Sequence, residues 1–198
     1  MPTFPVRSIL AILTATALAL PAAAAGLNIS LKHGSEREKQ SQQQLERLSA
    51  NYALERWIHT RRIVFDQVTI PHSHPVLTLH ARHLDDDGAL LSTFIHEQMH
   101  RWLSNHPRQR REALRAVRQR YPSLPVGYPD GADSLASSQE HLLVIYLELD
   151  GVETLLGTAE HDRLLAFWSN DHYKKLYELV ARDKEQIGAI VRNNKLMP

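Results

Sequence analysis

Two histidines four positions apart, with a glutamate beside the first, make His96-Glu97-Gln98-Met99-His100 the most chemically suggestive segment of this sequence. On a helix that spacing puts both rings on one face, one turn apart, where they can share a metal ion. Glu97 sits about 100° further round, clear of the metal and free to accept a proton from an activated water. This division of labour is what metal-assisted hydrolysis requires, with His96 and His100 as zinc ligands and Glu97 as general base. Random placement gives only about 0.04 expected matches to the pattern per chain of this composition. The chain holds 12 histidines in 198 residues and no cysteine. Thiol nucleophiles, disulfides and cysteine-held metals are therefore excluded, and imidazole is the ligand in supply.

A zinc site of this kind takes a third protein ligand, often from a later helix, and one zinc per chain is expected. The neighbours Glu140 and His141 are the candidates, and helical phase separates them. Leu142, Ile145, Leu149, Val152 and Leu156 form the apolar stripe of their helix. His141 falls within about 40° of Ile145, whereas Glu140 lies about 140° away. His141 is thus the preferred third ligand, aimed at the core, and Glu140 the alternative, pointing toward solvent or the helix N-terminus. Glu148, two turns on, shares the face of His141 and suits a partner that fixes a metal-bound ring.

The remaining histidines carry weaker signals. His106 stands six residues after His100, but before Pro107 it reads as a helix-end residue. His72 and His74 flank prolines and read as turn residues, with approach to the cleft or a second metal as the alternative. Tyr146, His161, His172 and Tyr173 are candidate stabilisers of a developing oxyanion.

The elements that must position these residues follow from pattern. Ser35-Glu36-Arg37-Glu38 has the form of a capping box, and a polar helix is expected from there to Trp57. Residues 63–84 turn to β-branched alternation, with one strand through Val64, Val68 and Ile70 and a second over residues 76–80. After Asp85-Asp86-Asp87-Gly88 the metal-binding helix runs to about Asn105, and Pro107 stops it. A short basic helix at residues 110–118, a loop at 121–138, a strong helix at 139–156 and a last one at 173–192 complete the order. The class is α+β, mostly helical, with a small β-sheet preceding the HExxH helix.

This pattern resembles the zincin metallopeptidases, in which a strand at the edge of the cleft precedes the HExxH helix; residues 63–84 occupy that place. The resemblance spans about residues 63–156. It implies a zincin-like fold and a peptide or protein substrate. The longer zincin signature is half met, since His106 is in place but Leu103 stands where a glycine belongs. Ser73-His74-Pro75-Val76-Leu77-Thr78-Leu79, the extended motif through Arg101-Trp102, and His141-Leu142-Leu143-Val144 with Leu147-Glu148 are together similar to a family of small exported bacterial HExxH proteins.

Composition sets the outer bounds. Lys plus Arg number 23 against 22 acidic residues, a net charge of +1 that argues against a nucleic-acid partner. Arg7, the apolar residues 9–20, Pro21 and the small residues from Ala22 to Gly26 have the form of a secretory signal peptide over residues 1–25. Residues 26–198 then form a single metallohydrolase domain, periplasmic or secreted, with no membrane span in the mature chain. The alternative class is a non-catalytic periplasmic metal-binding or interaction protein that keeps the same helix.

Overall fold

In a computed structural model that describes residues 26–198, the described part opens with a strand, β1 (Asn28–Leu31), and turns into helix α1 (Glu36–Asn51). The expected signal segment lies outside the described residues. Ser35 caps α1: its hydroxyl accepts from Glu38 N–H while Glu38 reaches back to the Ser35 N–H, the reciprocal pair of a capping box. α1 ends earlier than its apolar pattern suggests. Tyr52 leaves in an extended conformation, and Leu54–Trp57 form a separate 3-10 turn that buries Leu54 and Trp57.

The sheet has three parallel strands in the order β1, β2 (Arg62–Phe65), β3 (Leu77–Leu79). Ile63 pairs with Ile29 on one side and with Leu77 on the other. Only residues 62–65 of the first expected strand pair. Val68 and Ile70 are instead 75% and 79% exposed, on a segment that loops over the sheet. Parallel pairing explains this: the chain must return to the same end of the sheet before β3 begins. On the way, His72 forms an antiparallel bridge with Thr78, exchanging two backbone hydrogen bonds across the outer side of β3.

Helix α2 (Asp87–Asn105) follows, capped by the Asp86 carboxylate on Ala89 N–H. Residues Gly88 to Met99 are buried without interruption, as expected for a helix enclosed on several sides. Helix α3 (Pro107–Arg120) starts on a proline, which suits the first turn, and keeps most of its arginines toward solvent. Helix α4 (Leu135–Leu156) begins four residues before the expected start, capped by Ser134. Next comes α5 (Thr158–Asp171), which the apolar pattern does not reveal. Single expected helices do not cover the C-terminus either. α6 (Lys174–Arg182) and α7 (Lys184–Asn193) are separated at Asp183.

α2 and α4 form the central pair. Ser92 meets Glu148 and His100 approaches Glu140, so the two helices run antiparallel. A Cβ on Gly151 would stand 3.2 Å from both Ile95 and Trp57, so a missing side chain lets α4 approach α2 closely. The core is continuous from Ile63, Phe65 and Leu77 through Phe94 and Ile95 to Leu143, Val144 and Ile187. The molecule is thus α+β and mostly helical. Among the described residues no helix is long and apolar enough to cross a membrane.

Candidate metal centre

His96 and His100 project from the middle of α2, and His141 from the second turn of α4. One ring nitrogen from each lies within 4.8 Å of the others. Their ring centroids are 5.1 Å (His96–His100), 4.9 Å (His100–His141) and 5.5 Å (His96–His141) apart. A tetrahedral zinc at about 2.0–2.1 Å from each nitrogen needs them about 3.4 Å apart. The donor set is three imidazoles, a set that could hold a metal ion such as zinc.

The opposite ring nitrogens are engaged. His96 Nδ1 lies 2.8 Å from Glu148 Oε2, and His141 Nδ1 donates to the Ser137 carbonyl at 2.8 Å, one turn back on its own helix. Both contacts fix the rings and leave Nε2 as the ligating atom. His100 Nδ1 is 4.0 Å from Glu140 Oε1, a looser contact. Burial pulls His96 well below the ordinary histidine range and His141 down to about 3. Both rings are therefore neutral, as a metal ligand must be.

Glu148 does orient a metal-ligand candidate, and the ring is that of His96 rather than its face-neighbour His141. Its carboxylate also accepts from Ser92 Oγ and from Tyr177 Oη at 2.8 Å, while Trp168 Nε1 donates to Ser92 Oγ at 2.9 Å. Side chains from α2, α5 and α6 thus gather around one buried acid on α4. Burial pushes its carboxyl up to about 7 despite the Ser92 and Tyr177 hydrogen bonds.

Glu97 is 6% exposed and has no hydrogen-bond partner among the described residues. Burial lifts its carboxyl to about 7, with His100 opposing and Glu148 assisting. A carboxylate held near neutrality, unpaired and next to the histidine cluster, is poised to take and return a proton. Gln98 serves the backbone instead: its Oε1 accepts from His59 N–H and Thr60 N–H, and its Nε2 donates to Thr60 O, pinning the start of β2 to the motif helix.

Glu140 departs from its expected direction. It is partly buried and held by Arg110 from α3, whose Nε and Nη2 both donate to its carboxylate. Burial alone would raise its carboxyl; His100 and Arg110 outweigh that and bring it to about 2. It is thus an anion beside His100, and the three-nitrogen cluster forms without it.

Of the four oxyanion candidates, the structure brings Tyr173 to the cluster. Its ring lies 4.4 Å from that of His141 and stacks 6.3 Å from that of His96. It adopts φ 51°, ψ 32°, a left-handed conformation costly for a bulky residue, and the following Lys174 N–H donates to Pro129 O. Tyr146 pairs with Arg192, His161 with Asp162, and His172 with Asp171, none of them within the histidine cluster. His106 is a helix-end residue, its ring against Trp102 at 3.6 Å. His72 and His74 join no metal-ligand group among the described residues. Helix periodicity pointed to His141 and Glu148; nothing local marks Tyr177 or Arg110, whereas Ser92 and Ser137 each stand one turn before a ligand candidate.

Compared with family models, with curated proteins and with solved structures, the chain matches none.

Proposed function

We infer that this protein is a zincin-like, exported zinc-dependent hydrolase, most simply a metallopeptidase. His96, His100 and His141 would hold the metal. The observation that carries the reading is the convergence of these three rings, two of them buried and neutral, beside an unpaired Glu97 near neutrality. Zinc bound there supplies Lewis acidity, for activating water and polarising a carbonyl. The chain's residues supply the rest. Glu97 takes the proton of the attacking water and passes it to the leaving amine. Tyr173, whose ring stands 4.4 Å from that of His141, would donate its hydroxyl to the developing oxyanion. Glu148 holds His96 in the tautomer that exposes Nε2, and Ser137 O does the same for His141.

The expected signal segment supports export, and the domain of residues 26–198 is the acting unit. Elemental analysis of the mature protein tests the centre directly. About one zinc per chain, sharply weakened by His141→Ala, supports it. No retained or restorable metal overturns it. Hydrolysis of a peptide library by wild type but not by Glu97→Gln supports the enzyme. A zinc-loaded wild type that cleaves nothing favours a non-catalytic metal-binding protein.

A further inference from the structure

We propose that Arg101, with His74 beside it, forms an anion subsite on the rim of the histidine centre that holds a carboxylate of the substrate. The proposal rests on the zinc-hydrolase reading and specifies its substrate as a peptide carrying a negative charge close to the bond that is cut.

Arg101 follows His100 directly on α2, so its position relative to the centre is set by the helix that carries two of the ligand candidates. Its side chain is half-buried, and its guanidinium donates to the Pro75 carbonyl through Nη2. Nε is buried with no acceptor. No carboxylate among the described residues pairs with it. Arg110, the other arginine near the centre, contrasts with it: Glu140 neutralises that side chain through two hydrogen bonds. Nature's usual partner for a planar, partly desolvated guanidinium is a carboxylate, and here the protein provides none.

His74 marks the direction in which the anion would lie. It is exposed, and its Nδ1 is 2.7 Å from Ser73 Oγ, which orients the ring. Pro75, whose carbonyl accepts from Arg101, directly follows His74, so the ring and the Arg101 guanidinium belong to one patch beside His100. A substrate carbonyl at the three histidines and a carboxylate at Arg101 would thus occupy neighbouring positions on one rim. The carboxylate could be the C-terminus of a peptide or an aspartate or glutamate side chain; both present the same fork of oxygens.

Three hydroxamate peptides identical but for their end distinguish these cases: one ending in leucine with a free carboxylate, one in leucine amide, one in aspartic acid amide. Their affinities for the zinc-loaded mature protein are measured by titration, beside zinc content and melting temperature. The expected result is that at least one charged probe binds 10-fold or more tightly than leucine amide. A gain confined to the free acid assigns the subsite to a C-terminus, and a gain with aspartic acid amide assigns it to a side chain. Arg101→Gln should abolish the gain while leaving zinc content and the affinity for leucine amide unchanged. Equal affinities of all three probes for zinc-loaded wild type overturn the subsite and leave the zinc centre standing. A gain that survives in Arg101→Gln overturns the assignment to Arg101. A wild type that holds no zinc overturns the underlying reading, and the subsite with it.

Discussion

An imidazole presents a chosen nitrogen to a metal only when something holds its other nitrogen, and the Glu148 carboxylate is that holder for His96. Glu148→Gln keeps the shape but weakens the acceptor. Zinc affinity should fall by about 10–100-fold with the fold intact, as competition with a chromogenic chelator would report. Unchanged affinity would mean that the His96 contact is incidental. Glu97→Gln should behave oppositely, retaining zinc while hydrolysis of any verified substrate falls by about 100-fold or more. The motif and His141 were legible in sequence because both depend on helical phase alone, which a few residues on either side determine. Glu140 was not. Its direction depends on Arg110, which lies 30 residues away on a separate helix. Tyr173 could be named only as one of four candidates, since its place follows from a left-handed turn that no local pattern announces.

Elements succeed or fail in a sequence reading according to how local their causes are. α1 is announced by Ser35 and Glu38, and α2 by the Asp86 cap, so both starts were legible. β1 has four residues with weak alternation and exists because β2 pairs beside it. Val68 and Ile70 have strand composition, but the return to β3 uses that stretch as a loop, leaving both exposed. α5 follows Gly157, whose φ of 85° turns the chain sharply out of α4. The Asp86 cap also yields a prediction. Its carboxylate accepts from Ala89 N–H and from Arg163. Partial burial would raise its carboxyl, but Arg163 and Ala89 N–H win and hold it below the ordinary range. A depressed folded value means stability that is complete above the ordinary carboxylate range and is lost as pH falls through the folded value. Asp86→Ala should therefore cost about 1 kcal/mol near pH 7. In urea denaturation its gap from wild type should narrow below about pH 4. A gap that stays constant down to pH 2.5 would show that the cap's charge contributes nothing.

At the scale of the molecule, the candidate centre joins its two halves. His96 and His100 belong to the helix that follows the sheet, and His141 to the helix that leads into the C-terminal α5–α7 group. The α2–α4 contact is close at Gly151, where Ile95 and Trp57 would stand 3.2 Å from an added Cβ and leave little room. A ligand that binds only the folded chain stabilises it by mass action, about 2.7 kcal/mol at 100 times its dissociation constant. For a domain of this size that is a rise in melting temperature of about 5–10 °C on adding zinc. His141→Ala should melt near the metal-free wild type and respond little to zinc, since a pair of ligands on one helix spans no interface. Gly151→Val should lower the metal-free melting temperature by overpacking the crossing, at about 1–3 kcal/mol. It should also blunt the response to zinc, because the two helices can then no longer bring His141 to His96 and His100 together. Differential scanning of the three proteins with and without zinc separates the cases. A His141→Ala protein that gains as much from zinc as wild type would show that His141 is not the third ligand, and would move that place to Glu140 or elsewhere.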